Sequence, residues 1–133
     1  MIEFELPCYI DIGARKRRKI SLNMNWYRNA HFQQLNAVKR QFEPLSGDLF
    51  KADEIRIHYT LHLATKRRTD VMNWIAIVDK FFCDWLVNMD CLPDDNYRHI
   101  TGYACSVVQD SSLAENKITT MVEIIAQRAR KMD

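Results

Sequence analysis

Three aspartates lie at the two ends of one predicted helix in this chain of 133 residues. Asp70 follows the basic stretch KRRT at the start of the helix, and Asp94 and Asp95 follow its end after a proline. Clustered carboxylates suit a hard divalent cation such as Mg²⁺, which takes oxygen ligands and usually keeps several waters. Beside a phosphodiester, such an ion polarises a phosphoryl oxygen and prepares a hydroxide nucleophile. The three aspartates therefore predict a metal site for phosphodiester hydrolysis.

Positive charge is clustered near the same helix and elsewhere in the chain. The net charge is only +2, so global basicity does not indicate a nucleic-acid partner, but local clusters can still bind phosphate. One cluster is the run RKRRK, a second precedes Asp70, and a third contains Arg128, Arg130 and Lys131. Lys80, on the polar face of the predicted helix, could stabilise the charge that develops on the reacting phosphoryl group. The residues predicted to contact the DNA backbone are Arg15, Lys16, Arg17, Arg18, Lys19, Lys66, Arg67 and Arg68.

Each candidate residue also has an ordinary structural interpretation. Asp94 and Asp95 after a proline suit a turn, and Asp70 suits the N-cap of a helix. Lys80 and Asp84 have the spacing of a surface ion pair. About 20 helical residues span roughly 30 Å. Asp70 therefore meets the other two aspartates only if the next strand returns along the helix, or if a symmetric partner completes the site.

Hydrophobic periodicity predicts the elements that must position these residues. Residues 54–64 alternate strictly between apolar and polar side chains, which indicates a strand, and residues 70–90 carry a wide apolar helical face. The polar segment QDSSLAENK predicts an antiparallel hairpin between the last two strands. The predicted elements, in order, are strand 2–12, helix 26–42, strand 54–64, helix 70–90, strand 97–108 and strand 118–126. These patterns predict one α+β domain over residues 1–133, with a mixed sheet of about four strands packed against two main helices.

Two further features narrow the function. His58 and His62 lie about 13 Å apart along one face of the strand over 54–64, so we interpret them as DNA-facing or cross-strand residues and not as metal ligands. The four cysteines form no C-x-x-C pair, which predicts reduced and mostly buried thiols. No apolar run approaches the roughly 20 residues that span a bilayer, and residues 1–13 show no signal-peptide pattern. The chain is therefore predicted to be cytoplasmic, without a membrane partner or a small-molecule cofactor.

The ordered set KRRTDVMN, VDKFFCDWL and CLPDDNY resembles the RusA family of Holliday junction resolvases, especially its phage-encoded members. The resemblance implies a homodimer that cuts four-way DNA junctions symmetrically with Mg²⁺ or Mn²⁺, acting in a bacterial host cytoplasm if phage-encoded. By the same resemblance, Asp70 matches the first family aspartate and Asp95 matches the essential aspartate of the Asp–Asp pair, with Asp94 beside it. Lys80 matches the family's helix lysine. The implied catalytic residues are thus Asp70, Asp95 and Lys80, and the implied metal ligands are Asp70, Asp94 and Asp95.

Met72 departs from the family pattern, which often has a second aspartate at this position. A thioether is a poor ligand for hard cations, although the neighbouring Asn73 could supply an oxygen. Asp79 lies two turns on, at roughly 10 Å, which is too far for a simple replacement. A catalytically weak or inactive protein that binds branched DNA on the same fold is therefore an alternative. A third hypothesis is an interaction module whose basic clusters only keep it in solution.

Overall fold

The predicted strand and helix with the clearest periodicity form the centre of the fold. The computed structural model describes residues 1–13 and 18–128 of the chain. In chain order, the elements are β1 (Ile2–Pro7), β2 (Tyr9–Ile12), β3 (Arg18–Ser21), α1 (Met24–Asn29), α2 (Phe32–Gln41), β4 (Ala52–Leu63), α3 (Val71–Asn88), β5 (Ile100–Gln109) and β6 (Lys117–Gln127). The predictions for β4, α3, β5 and β6 are confirmed to within a few residues.

The main sheet has four strands in the order β1-β6-β4-β5. β4 pairs with β5 in parallel, whereas β6 is antiparallel to both of its neighbours, β1 and β4. β2 and β3 form a separate antiparallel sheet of two strands. The predicted α+β fold with a mixed sheet is therefore confirmed. None of the helices in the described part of the chain combines the length and apolarity needed to cross a membrane.

The apolar face of α3 packs on one face of the main sheet. On β4, Ile55, Ile57, Tyr59 and Leu61 are buried, while the residues between them are exposed or half-buried. From α3, Phe82 is fully buried and lies 5.3 Å from the ring centroid of Phe4 on β1. Burying a large apolar side chain of this kind contributes about 1.5–3 kcal/mol. The helix that begins beside Asp70 is therefore held on a rigid sheet.

The opposite face of β4 carries polar residues that bond across the sheet. His58 Nε2 lies 2.8 Å from Ser106 Oγ on β5, and His62 Nε2 lies 2.8 Å from Thr119 Oγ1 on β6. The cross-strand interpretation of these histidines is thereby confirmed. Cys8, Cys83 and Cys91 are buried free thiols, as predicted, and Cys105 on β5 is exposed.

Three predictions of local structure are wrong. Residues 2–12 form two strands that belong to different sheets. The first strand is interrupted at Cys8, whose carbonyl accepts a hydrogen bond from Leu22 N–H at 2.8 Å. The helix over 26–42 is two helices, since Ala30 has extended backbone and the ring of His31 caps α2 by accepting a hydrogen bond from Gln33 N–H. β5 and β6 do not form a hairpin, because residues 110–116 pass over the end of β4, which lies between them.

Candidate functional site

Asp70 lines a groove at the end of the main sheet where β4 and β5 finish. Three segments meet there: the loop from β4 to α3, the loop over 110–116, and the β2–β3 sheet. Asn116 Oδ1 accepts a hydrogen bond from Ala64 N–H at 2.9 Å, which ties the first two segments together. The groove has a volume of about 770 Å³. This is within the usual range of about 300–1,000 Å³ for ligand sites.

The groove combines charges that are far apart in the sequence. Its charged lining residues are Lys19, Arg67, Arg68, Asp70 and Glu115. Lys19 of the first basic cluster and Arg67 and Arg68 of the second therefore lie in the groove lined by the predicted catalytic aspartate, whereas Lys66 is not part of the lining. Of the remaining predicted DNA contacts, Arg15, Lys16 and Arg17 lie outside the described residues, and Arg18 is described only as part of β3. Their roles stay predictions.

Asp70 is the N-cap of α3, as its position before the apolar pattern predicts. Its Oδ1 accepts a hydrogen bond from Met72 N–H at 3.1 Å, and its backbone is extended. Asn73 Oδ1 accepts a hydrogen bond from Met24 N–H at 3.0 Å, and the supporting role of Asn73 at a metal site stays a prediction. Asn73 therefore anchors the start of α1 on α3. The other carboxylate oxygen of Asp70 is the donor that this helix start can direct to a cation or a proton.

Glu115 is the groove residue that the sequence did not indicate. It forms an ion pair with Lys19, whose Nζ lies 4.6 Å from the ring centroid of Tyr9. The hydrogen bond from Lys19 to Glu115 raises the pKa of the lysine. Glu115 lies in a polar loop without periodicity or motif, so only the position of that loop beside β2 and β3 brings it to the groove.

Asp94 and Asp95 lie at the other end of α3. Asp94 accepts hydrogen bonds from Asp95 N–H at 2.8 Å and from the Asn96 amide at 3.1 Å, the turn that the ordinary interpretation predicts. The bond from Asp95 N–H lowers the pKa of Asp94. The 18 residues of α3 give the helix a length of about 27 Å between Asp70 and the start of the segment that leads to this turn.

One of the two routes to a joint site does not operate within this chain. β5 does return antiparallel to α3, but it runs away from the aspartate pair and brings Gln109 to the Asp70 end of the sheet. Across residues 1–13 and 18–128, no three His, Cys, Asp or Glu side chains are close enough together to hold a metal ion. The other route, completion by a symmetric partner, stays a prediction.

Lys80 lies away from the groove, on the exposed side of α3. Its Nζ is 5.9 Å from the ring centroid of Tyr27 on α1. It makes no ion pair with Asp84, which contacts Lys39 Nζ at 3.7 Å instead. The described residues therefore do not bring Lys80 to Asp70, and its catalytic role stays a prediction. Arg128 of the third basic cluster contacts Asp53 and Asp90.

Asp79, a carboxylate within α3, is half-buried beside β4. The hydroxyl of Tyr59 donates to Asp79 Oδ1 at 2.5 Å, and the thiol of Cys83 donates to it at 3.2 Å. Burial raises the pKa of Asp79 above its usual value of 3.8, although the hydrogen bonds from Tyr59, Cys83 and Tyr103 oppose this shift. The negative charge of Asp95 also raises this pKa.

Asp79→Asn is expected to change the pH dependence of stability. Burial raises the pKa of Asp79 in the folded state. Asp79 therefore makes its full contribution to the free energy of unfolding below pH 3.8, and this contribution is lost as the pH rises through the folded-state pKa. The wild-type protein should therefore lose stability relative to the variant from pH 3.8 toward neutrality. Urea unfolding at a series of pH values measures this difference, with Asp84→Asn as the control. A difference that is independent of pH would contradict the prediction.

Comparison with known proteins adds no assignment. No protein-family model matches the chain, and a search of the curated proteins finds no similar sequence.

Proposed function

We propose that the chain is a structure-specific DNA endonuclease that resolves four-way junctions by paired, metal-dependent cleavage of phosphodiester bonds. The observation that carries this proposal is the groove in which Asp70 lies with Lys19, Arg67 and Arg68. A carboxylate next to several cations suits a phosphodiester, since the cations bind the strand and the carboxylate serves the reaction. The proposed substrate class, four-way DNA junctions, comes from the resemblance of three sequence motifs, in the same order, to junction resolvases.

The two arginines are the residues best suited to hold the strand. Arg67 and Arg68 are exposed on the loop that leads into α3, so their guanidinium groups can each bind a phosphate through two parallel hydrogen bonds. Lys19 is already paired with Glu115 and supplies a weaker, exchangeable charge. The strand would therefore be positioned mainly from the β4–α3 loop, with its phosphate beside Asp70.

Mg²⁺ or Mn²⁺ is the cofactor that the donor chemistry fits. The free oxygen of Asp70 is a hard donor, and Asp94 and Asp95 are further carboxylates of the same type on the exposed surface. The bound ion would supply Lewis-acid polarisation of the phosphoryl oxygen. Mg²⁺ sites commonly use one or two carboxylates together with substrate phosphate and water, so Asp70 and one aspartate of a symmetric partner would be sufficient.

A catalytically weak or inactive protein that binds branched DNA is the second candidate. Two observations favour it. Met72 is 48% exposed at the start of α3, where it offers no oxygen. Within one chain, Asp70 precedes α3 and the Asp94–Asp95 pair follows it, so the three carboxylates do not form one site. In this case the basic groove would still bind DNA, but phosphodiester cleavage would be slow or absent.

A nicking assay on a synthetic four-way junction tests the proposal. The junction and a linear duplex of the same sequence would be incubated with the protein and Mg²⁺, Mn²⁺ or EDTA, and the nicks would be mapped on each strand. Paired nicks near the crossover that need the metal are the expected result. Junction binding without nicks in either metal would favour the second candidate, and the absence of both binding and nicking would overturn both.

A further inference from the structure

Two half-buried asparagines, Asn73 and Asn116, line the groove beside Asp70 with their amide groups held in one orientation. Asn73 Oδ1 accepts a hydrogen bond from Met24 N–H at 3.0 Å, and Asn116 Oδ1 accepts one from Ala64 N–H at 2.9 Å. A backbone N–H can only donate, so in both side chains the oxygen is the atom that faces the backbone. The nitrogen of each amide is therefore the atom left for another partner.

The two amide nitrogens are accessible to solvent. Within residues 1–13 and 18–128, neither Asn73 Nδ2 nor Asn116 Nδ2 donates a hydrogen bond to the protein. In the same residues, the buried side-chain nitrogen and oxygen atoms that lack a hydrogen-bond partner all belong to Arg128. The two amide nitrogens are therefore not buried, and they offer the groove neutral N–H donors in a fixed orientation.

Aromatic side chains line the same groove. Tyr9 and Trp74 pack edge to face with their ring centroids 5.4 Å apart. Lys19 Nζ lies 4.6 Å from the ring centroid of Tyr9, on an exposed side chain that a ligand can displace. Rings beside neutral donors suit a nucleobase, which has a flat face for stacking and an edge for hydrogen bonds. Phosphate binding would use the donors but not the rings, so this part of the groove differs in kind from the two arginines.

We propose that this part of the groove receives one unstacked nucleobase of the bound strand, and that Asn73 and Asn116 select guanine over adenine. The inference rests on the proposed function, which brings a DNA strand into the groove. Guanine presents two acceptors, O6 and N7, on one edge, whereas adenine presents one acceptor and the N6 amino donor. A guanine edge therefore satisfies both amide donors, while an adenine edge sets one N–H group against another.

The orientation of the amides decides against adenine. An asparagine that binds adenine uses its oxygen for N6 and its nitrogen for N7 at the same time. In Asn73 and Asn116 the oxygen already bonds the backbone, and those bonds fix the start of α1 and the loop over 110–116. The base must also leave the stack, which costs least where DNA is single-stranded or poorly paired. The subsite therefore adds a base preference to the structural preference of the proposed nuclease.

Binding in the absence of metal measures the base preference without reference to cleavage. Short single strands of adenine that carry one central guanine, 7-deazaguanine or adenine would be titrated with the protein in EDTA, with fluorescence anisotropy as the readout. The guanine strand should bind at least about fivefold more tightly than the adenine strand, which is the lower end of what one good base contact provides. The 7-deazaguanine strand should lose part of this preference, because it lacks the N7 acceptor.

Asn73→Asp and Asn116→Asp test which atoms contact the base. Each substitution keeps an oxygen that accepts the backbone N–H and replaces the amide donor by an acceptor. The added negative charge weakens the binding of every strand, so the readout is the ratio of the guanine affinity to the adenine affinity. This ratio should fall to about one or below in both variants. Gln33→Glu adds the same charge at an exposed position of α2 outside the groove and should keep the wild-type ratio.

The outcomes separate the base subsite from the proposed nuclease activity. Equal binding of the guanine and adenine strands by the wild-type protein, or a guanine preference that both asparagine variants retain, would overturn the subsite whether or not junctions are nicked. Failure to bind any of the strands would overturn it as well. A guanine preference that the variants lose, in a protein that does not nick junctions, would support the subsite and overturn the nuclease activity alone.

Discussion

Asp70→Asn is expected to lower the rate of junction nicking by about 100-fold or more, while junction binding stays within about twofold of wild type. The substitution is selective because asparagine caps helices as well as aspartate does. Its Oδ1 can still accept the hydrogen bond from Met72 N–H, so the start of α3 and the groove are preserved. The negative charge that would hold a divalent cation is removed. Single-turnover nicking, fluorescence anisotropy and thermal unfolding measure the three quantities.

Two further variants test whether a loss of nicking is specific to the proposed metal-binding carboxylates. Asp84→Asn, a carboxylate on the same helix that pairs with Lys39, should leave nicking unchanged. Asp95→Asn should lose nicking as Asp70→Asn does. If Asp70→Asn nicks at the wild-type rate, Asp70 is only a helix cap and the site assignment is wrong.

The double variant Arg67→Ala, Arg68→Ala is expected to weaken junction binding by about tenfold or more and to make it less sensitive to salt. Each phosphate contact contributes about 0.9 to the slope of log affinity against log salt concentration on duplex DNA. Loss of two contacts should therefore reduce the slope by nearly 2. Both arginines are exposed, so the fold should be unaffected. Binding titrations between low and physiological salt measure the slope.

A matched pair of basic residues controls for net charge. Lys39 and Arg40 are adjacent and exposed in the last turn of α2, outside the groove. Their replacement by alanine changes the net charge by the same amount and should change the slope by less than one contact. Equal effects of the two double variants would mean that DNA is held by the overall field of the protein, and that the groove is not its binding site.

Part of this molecule was predictable because the information is local. The alternation over 54–64 and the helical periodicity over 70–90 predict β4 and α3 nearly to their ends, and the aspartate before an apolar helical run predicts the N-cap at Asp70. The polar face of β4 correctly indicated cross-strand roles for its two histidines. In each case the local structure is decided by residues that are close in sequence, within one or two helical turns or along one strand.

The remaining features depend on contacts between distant segments, and only the tertiary structure decided them. The sequence by itself determined which elements form and which aspartates stand at the ends of α3. The tertiary structure decided that β4 separates β5 from β6 and that Glu115 joins Asp70 in the groove. The reason is physical: periodicity reports which side of an element is buried, but strand order and loop position depend on the packing of the whole chain.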